Sequence, residues 1–493
     1  MHKIYILFIL LSIQQTTVNS QGRGYNWVFG DSAGISFTGG QPSSFITVIN
    51  SVEPSASISD EQGNLLFYNG NTEGFMGNPN FYITKVWDKN SNLMPNGDSL
   101  QSTGTTTQGC IILTNPADSS EFYIFNLGYD INSNLHHLFY SNINMSLNGG
   151  YGDVFQKNTL VCDSPLTEKM CAVKHGNGRD WWLVTHLFGT NDFYKYLITT
   201  SNVLGPFIQS IGDFIDIRDE GQMIFNQQGS KLAFANSSGQ LNIFDFDRCT
   251  GLLSNPLLLS DLPYICCIPK FYGCSFSGNS SVFYASSLDS LFQFDLNATN
   301  VKASRVLIGA LGTTSVGGTI IIGQHLIGPN GRIYIALTDQ MGNNCDSLTK
   351  HLSVINDPDQ IGSACNFLPY NIPLANCSRI LGGLPNMPNY NLRNLIGSSC
   401  DTITVIAETN YSNDTFEVHP NPALSTINIT YSLLENDAIV EFFQTDGKLI
   451  LQSKISKGLL QKNIDISNLI PGVYGLVVKN KNGIIGKRRI VII

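Results

Sequence analysis

The chain has 493 residues, of which 42% are hydrophobic and 13% charged, with 46 glycines and a net charge of −9. A charged share about half the usual quarter, rich in glycine and aromatics and free of long charge runs, excludes a disordered chain, a coiled coil and a nucleic-acid-binding protein. It suits an extracellular, mostly β protein of two or three domains, and the acidic balance disfavours both nucleic acid and an anionic membrane surface as partners.

Residues 1–20 open with His2 and Lys3, pass through the apolar run 4–13 and end on Val18, Asn19 and Ser20. This is the pattern of a secretory signal peptide cleaved near Ser20. The apolar run has ten residues, whereas a helix that spans a bilayer needs roughly 20. No later segment has a run of that length, so no transmembrane span is expected in the mature chain.

From 21 to 405, short apolar runs alternate with Gly, Asn, Asp, Ser and Pro and show little helical periodicity, which predicts repeated antiparallel strands. A turn bearing Gly or Asn followed by a β-rich run recurs at 59–68, 226–235, 276–285 and 328–336. Gly229 lies 49 residues before Gly278, and Gly278 lies 53 before Gly331. Four-stranded propeller blades have about this length. The 385 residues of this region, at about 50 per blade, make seven or eight blades, and seven is expected. A β-sandwich array lacks such a recurrence and a β-helix has much shorter rungs.

Eleven cysteines lie between positions 110 and 400. Export places them in an oxidising compartment, where disulfides form. Neighbours in sequence suggest Cys162 with Cys171, Cys345 with Cys365, and Cys377 with Cys400, plus one or two bridges among Cys249, Cys266, Cys267 and Cys274. Spacing alone leaves the pairing open, and Cys110, isolated in an apolar run, is the expected odd thiol. No CxxC pair recurs and Cys266-Cys267 is vicinal, which suits tetrahedral zinc poorly, so no metal site is expected.

The densest polar cluster is Lys174, His175, Arg179, Asp180 and His186, flanked by Trp181 and Trp182. As a ligand site, its indole faces would stack on sugar rings or cations while Arg179 and Asp180 hydrogen-bond to hydroxyls or a carboxylate. A metal version would pair His175 with His186. The alternative is a hairpin turn at 177–180, with the two tryptophans on opposite faces and the histidines satisfying backbone groups. Asp213, Asp216, Asp219 and Glu220 could act as paired carboxylates on a glycosidic bond, or form a solvated strand edge. Asn356, Asp357 and Asp359 offer oxygens to a structural calcium but lack the Gly and distal Glu of an EF-hand loop; a turn is the alternative, and no cofactor is expected. No GxSxG nucleophile elbow, HExxH helix, phosphate-binding GxxxxGK[ST] loop or GxGxxG-bearing βαβ unit is evident.

A Thr-, Ser-, Asn- and Asp-rich stretch at 406–415 reads as a linker. Beyond it, 416–493 alternates cleanly at 427–431, 438–443, 448–451, 463–466 and 472–478, with Thr445-Asp446-Gly447-Lys448 as a hairpin turn, which predicts a small β-sandwich. The expected fold is therefore all-β: an about seven-bladed β-propeller followed by a small C-terminal β-sandwich. Charge separates the two, since 18 basic and 31 acidic residues give −13 over 21–415, while 9 and 6 give +3 over 416–493.

The terminal module resembles the type A C-terminal sorting domain of the type IX secretion system of Bacteroidota. The resemblance rests on Phe416-Glu417-Val418-His419-Pro420-Asn421-Pro422-Ala423, the Asp446-Gly447 turn, Leu469-Ile470-Pro471-Gly472-Val473-Tyr474, and Lys487-Arg488-Arg489. His419 stands where such domains commonly have Tyr. The resemblance implies that Pro420, Asn421, Pro422, Gly447, Gly472, Tyr474, Lys487, Arg488 and Arg489 carry a sorting signal. It further implies that the type IX machinery is a partner, and that the protein reaches the cell surface or the medium after export to the periplasm. The body resembles secreted propeller-like proteins of the same bacteria at Trp27-Val28-Phe29-Gly30, Met94-Pro95-Asn96-Gly97, Thr107-Gln108-Gly109, Arg179-Asp180-Trp181-Trp182 and Gly383-Leu384-Pro385-Asn386. That likeness implies no activity. The expected function is a non-catalytic binding or adhesion module for a glycan, peptide or surface matrix, the alternative being a hydrolase or lyase that uses acidic residues in the propeller channel.

Overall fold

A computed structural model describes residues 22–72, 82–130, 135–214, 220–260, 271–312, 320–339, 349–401, 416–431, 436–444, 448–481 and 483–492. The expected signal peptide 1–20, the expected linker 406–415, Asp216, Asp219, Cys266, Cys267, Cys345 and Gly447 lie outside these. The chain divides into two compact units between residues 402 and 403. Strands and short 3-10 turns make up the regular structure of the described residues.

In the first unit, β1 (Asn26–Ser36) and β2 (Ser43–Ser51) pair with each other and belong to the blade that closes the ring. Blade 1 holds β3 (Ser55–Ser59), β4 (Leu65–Gly70), β5 (Ile83–Asp88) and β6 (Leu100–Gln101). Blade 2 holds β7 (Cys110–Thr114), β8 (Glu121–Asp130), β9 (Leu135–Asn144) and the first half of β10 (Asp153–Lys174). Blade 3 takes the second half of β10 with β11 (Trp181–Leu187), β12 (Asp192–Ile198) and β13 (Val203–Ser210). Within β10 the partner changes from β9 to β11 at Leu166, one residue after Pro165, which has no N–H to give a ladder.

Blade 4 is β14 (Met223–Phe225), β15 (Lys231–Ala235), β16 (Leu241–Phe246) and β17 (Leu253–Leu258). Blade 5 is β18 (Phe271–Phe276), β19 (Val282–Ser287), β20 (Ser290–Asp295) and β21 (Val306–Ala310). Blade 6 is β22 (Ile320–Ile327), β23 (Ile333–Asp339), β24 (His351–Ile355) and β25 (Phe367–Pro373). Residues 379–384 then return beside β1. Asp31 and Arg379 exchange two backbone hydrogen bonds of 2.9 Å and an ion pair of 2.6 Å, while Gln324 donates its amide to Gly382 at 3.0 Å. Blade 7 is thus shared by the two ends of the unit, and the described strands make seven blades.

The four recurrent turns of the sequence occupy one position, the hairpin from the first to the second strand of blades 1, 4, 5 and 6. Gly63, Gly229 and Gly331 supply its left-handed residue at φ 89°, 69° and 79°; in blade 5 Ser280 takes that role at φ 61°. Between blades, aromatic rings interlock, as with Trp27, Phe37 and Tyr334 where blades 7 and 6 meet, or Phe193, Phe234 and Phe244 where blades 3 and 4 meet. Each such buried ring contributes about 1.5–3 kcal/mol.

The second unit is a small β-sandwich of two sheets. One holds β26 (Phe416–His419), β27 (Thr426–Tyr431) and β30 (Gln461–Asp465). The other holds β28 (Ala438–Gln444), β29 (Leu449–Ile455), β31 (Gly472–Asn480) and β32 (Gly483–Ile492). Ile427, Ile429, Val440, Phe442, Leu476 and Ile490 fill the space between them.

The cysteines differ from the sequence-neighbour pairing. Cys400 bonds to Cys249, 151 residues away, and not to Cys377. Cys162 and Cys171 are buried thiols on one strand, β10, whose rise of about 3.3 Å per residue separates them beyond the ~7 Å that a disulfide tolerates. Cys365 is a buried thiol against Tyr284, and Cys345, its expected partner, lies outside the described residues. Cys110 is a buried thiol, as expected, and so is Cys274. Ring closure brings distant turns together, and sequence proximity carries no information about that.

Candidate functional site

The polar cluster of the sequence forms the β10–β11 hairpin of blade 3. Asn177 organises the turn: its Oδ1 accepts the amides of Arg179 and Asp180, each at 3.0 Å, and its Nδ2 donates to Asp180 Oδ2 at 2.8 Å. Arg179 donates to both carboxylate oxygens of Asp180, at 2.7 and 3.2 Å. Trp181 and Trp182 point opposite ways, the first giving its Nε1–H to Thr114 O in blade 2 at 3.1 Å and the second to Arg248 O in the β16–β17 turn at 2.9 Å. Lys174 lies 3.9 Å from the centroid of Trp181, and burial, then repulsion from Arg23, lowers its ammonium to about 7. His175 accepts the Asn177 amide on Nδ1, which leaves Nε2–H to donate to Cys249 O at 3.0 Å. His186 is buried between Phe193 and Phe234, and desolvation pulls it down to about 3. These side chains hold blade 3 to its neighbours.

The other acidic groups behave similarly. Asp213 accepts from Asn242 and Glu220 from Ser237. Asp359 accepts the Asn279 amide and Asp357 the Asn366 side chain, in a turn that precedes β25. Among the described residues no three His, Cys, Asp or Glu side chains converge as a metal site.

Beyond the closing strand, residues 385–401 cross one mouth of the channel as a strap. Asn386 bonds to Ser55 O in blade 1 and Met170 O in blade 3, Tyr390 to Ile112 O in blade 2, and Asn389 to Gln227 O in blade 4. The strap ends where Leu395 donates to Gly176 O and Cys400 joins Cys249. Gly176 is required there, because a Cβ would overlap Cys400 Sγ and Cys249 Sγ.

Inside the channel, three buried glutamines from alternate blades form a layer. Gln108 donates to Met223 O at 2.9 Å and accepts Met223 N at 2.8 Å; Gln222 accepts the amides of Cys274 and His325; Gln324 donates to Thr107 O and accepts Leu384 N. On the side away from the strap stand Glu53, Glu168 and Glu220. Tyr272 donates to Glu53, and Thr107 gives both its amide and its hydroxyl to Glu168, at 2.8 and 2.7 Å. Burial first, then the negative charge of Glu53, raises the Tyr272 phenol well above its ordinary value.

Between the glutamine layer and the strap lies a cavity of about 130 Å³. Its described lining includes Tyr25, Gln108, Gln222, Gln227, Gln324, Asn386 and Asn391, with Val173, Phe225, Leu326 and Met387, and it carries no carboxylate, imidazole, ammonium or guanidinium. Sequence patterning does not reveal this site, because its amides come from positions hundreds of residues apart; the Asn- and Pro-rich run 385–394 is the one local signal.

In the second unit, the Pro420-Asn421-Pro422 segment is tied to the terminal strand: Asn421 Oδ1 accepts Val491 N and Ala423 donates to Val491 O, each at 2.8 Å. Arg488 and Arg489 lie on that strand opposite Leu476 and Gly475, and Lys487 opposite Val477. Tyr474 is buried and gives its hydroxyl to Ile470 O at 2.7 Å, while Gly472 starts β31. His419 is exposed beside Glu417. Residues 417–492 match the family described as the secretion system C-terminal sorting domain. This segment is a type IX sorting domain.

The sorting domain implies secretion or export to the cell surface. No helix among the described residues is long and apolar enough to cross a membrane. No curated protein matches the chain. Among solved structures, it is similar to a candidate 6-phosphogluconolactonase of Bacteroides fragilis, at 14% identity over 73% of this chain and 97% of that one, with TM-score 0.43. It is also similar to the Cps50 (Swd1) β-propeller domain of Myceliophteria thermophila, at 10% identity over 65% and 95%, TM-score 0.34. A third is the GH74 enzyme of Niastella koreensis, at 11% identity over 85% of this chain and 58% of that one, TM-score 0.41. The propeller itself is established by the strand pairing described above.

Proposed function

We propose that this is an exported, non-catalytic binding protein whose propeller recognises an extracellular molecule and whose tail is its address for the type IX machinery. The observation that carries this reading is the chemistry of the axial cavity. Acid–base catalysis needs a side chain that exchanges a proton near neutral pH, and nucleophilic catalysis needs a base beside the nucleophile. The described lining offers amides, the phenols of Tyr25 and Tyr390, the thiol of Cys171, which burial keeps protonated, and apolar walls instead, which is the makeup of a site that holds and orients a ligand. Retention of the full chain on immobilised glycans, peptides or matrix material, with no product released, is the expected result; a screen that finds no partner contradicts it.

A second reading, hydrolysis of a polysaccharide or peptide, draws on Glu53, Glu168 and Glu220 at the opposite mouth. Turnover that Glu168→Gln abolishes would replace the binding reading. For export, the signal segment, the periplasm and then the type IX translocon form the proposed route. Deletion of 416–493 is expected to trap the protein in the periplasm, and unchanged surface display would contradict that route.

A further inference from the structure

We propose that the axial cavity takes the uncharged end of a saccharide chain, one or two rings deep; this rests on the binding reading above. A cavity of about 130 Å³ has room for on the order of ten waters, enough for a short saccharide end and too little for a folded element. The glutamine layer closes its floor, so a ligand enters by its end and does not thread the channel.

Lining chemistry selects the ligand. An ionised group would leave water without an opposite charge to meet it, at a cost of several kcal/mol in general. A peptide strand needs an open sheet edge, and here the inner edges are already occupied: Gln108 takes both the N–H and the C=O of Met223, and Gln222 takes both of His325. A neutral polyol needs neither. Tyr25, Gln227 and Asn391 bring one hydroxyl and two carboxamides whose side chains form no hydrogen bond to another described residue. These are donors and acceptors suited to sugar hydroxyls, while Leu326 and Met387 offer apolar surface to the ring C–H faces.

The test is titration calorimetry of the full chain with cellotetraose, mannotetraose and xylotetraose, beside tetragalacturonate and an uncharged tetrapeptide. The proposal expects at least one neutral tetrasaccharide to bind and the other two probes not to. Tyr25→Ala should weaken that binding at least about fivefold and, because the ring also packs on the core, lower the Tm; Tyr25→Phe, which keeps the ring, should weaken binding less and Gln227→Ala measurably, both without lowering the Tm. Preference for tetragalacturonate or the peptide overturns the ligand class. Neutral binding that neither Tyr25→Ala nor Gln227→Ala alters overturns the site. If none of the neutral tetrasaccharides binds while the wider retention screen finds a partner, the saccharide proposal falls and the binding reading stands; an empty screen removes that reading itself.

Discussion

Three buried histidines set the acid stability of the propeller. Burial lowers His136 to about 4 and His186 and His325 to about 3, the last two inside the packed faces between blades. Unfolding returns each imidazole to about 6.5, so between pH 6.5 and 4 the unfolded chain binds protons that the folded chain refuses. Stability is present above pH 6.5 and falls on acidification, by up to about 1.4 kcal/mol per pH unit for each histidine. For His186, Phe193 and Phe234 face the ring and Lys169 adds repulsion to its cation. His186→Leu should therefore flatten the pH dependence of the urea midpoint between pH 6 and 4, and an unchanged slope would count against this origin. Gly176 makes an independent residue-scale prediction. Its missing side chain admits the Cys249–Cys400 bridge, so Gly176→Ala should leave two more titratable thiols in the denatured, unreduced protein.

At the scale of elements, the strap is held by scattered hydrogen bonds to four blades and by one covalent bond at its end. A disulfide that closes so long a loop contributes about 2–5 kcal/mol, depending on the native geometry it imposes. Cys400→Ser should lower the unfolding free energy of the propeller by that amount and leave the melting of the sorting domain unchanged, read by two-phase calorimetry. In the tail, Asn421→Ala removes the acceptor of Val491 N and should cost about 1 kcal/mol, seen as a lower midpoint for the second unit alone. The elements also show why some structure was legible in the chain and some was not. Blades 1, 4, 5 and 6 announce themselves because each opens with a turn that demands a left-handed residue. Blades 2 and 3 do not, since β10 runs through both and a Pro at position 165 marks the switch without a turn. Blade 7 joins Asp31 to Arg379, a pairing no local pattern records. The polar cluster at 174–186 was visible for its composition, yet its side chains are occupied in holding three blades together; of the cavity residues, Tyr25 and Gln227 carry no local signal of a site, and Asn391 only that of the Asn- and Pro-rich run around it.

For the whole molecule, the net charge of −9 hides an acidic body of −13 and a basic sorting domain of +3. Cargo and address thus differ in charge as well as in fold, each with its own core. The body spends its few charges on architecture: the Asp31–Arg379 pair closes the ring, the Asp180–Arg179 pair shapes a hairpin, and the three channel glutamates stand behind the glutamine layer. What is left for recognition is neutral, and the central claim follows from that placement. The most direct measurement is the crystal structure of the full chain soaked with the neutral tetrasaccharides. The account predicts intact sugar density between the strap and the glutamine layer, against Tyr25, Gln227 and Asn391. Sugar bound instead among Glu53, Glu168 and Glu220, or cleaved there, would contradict it.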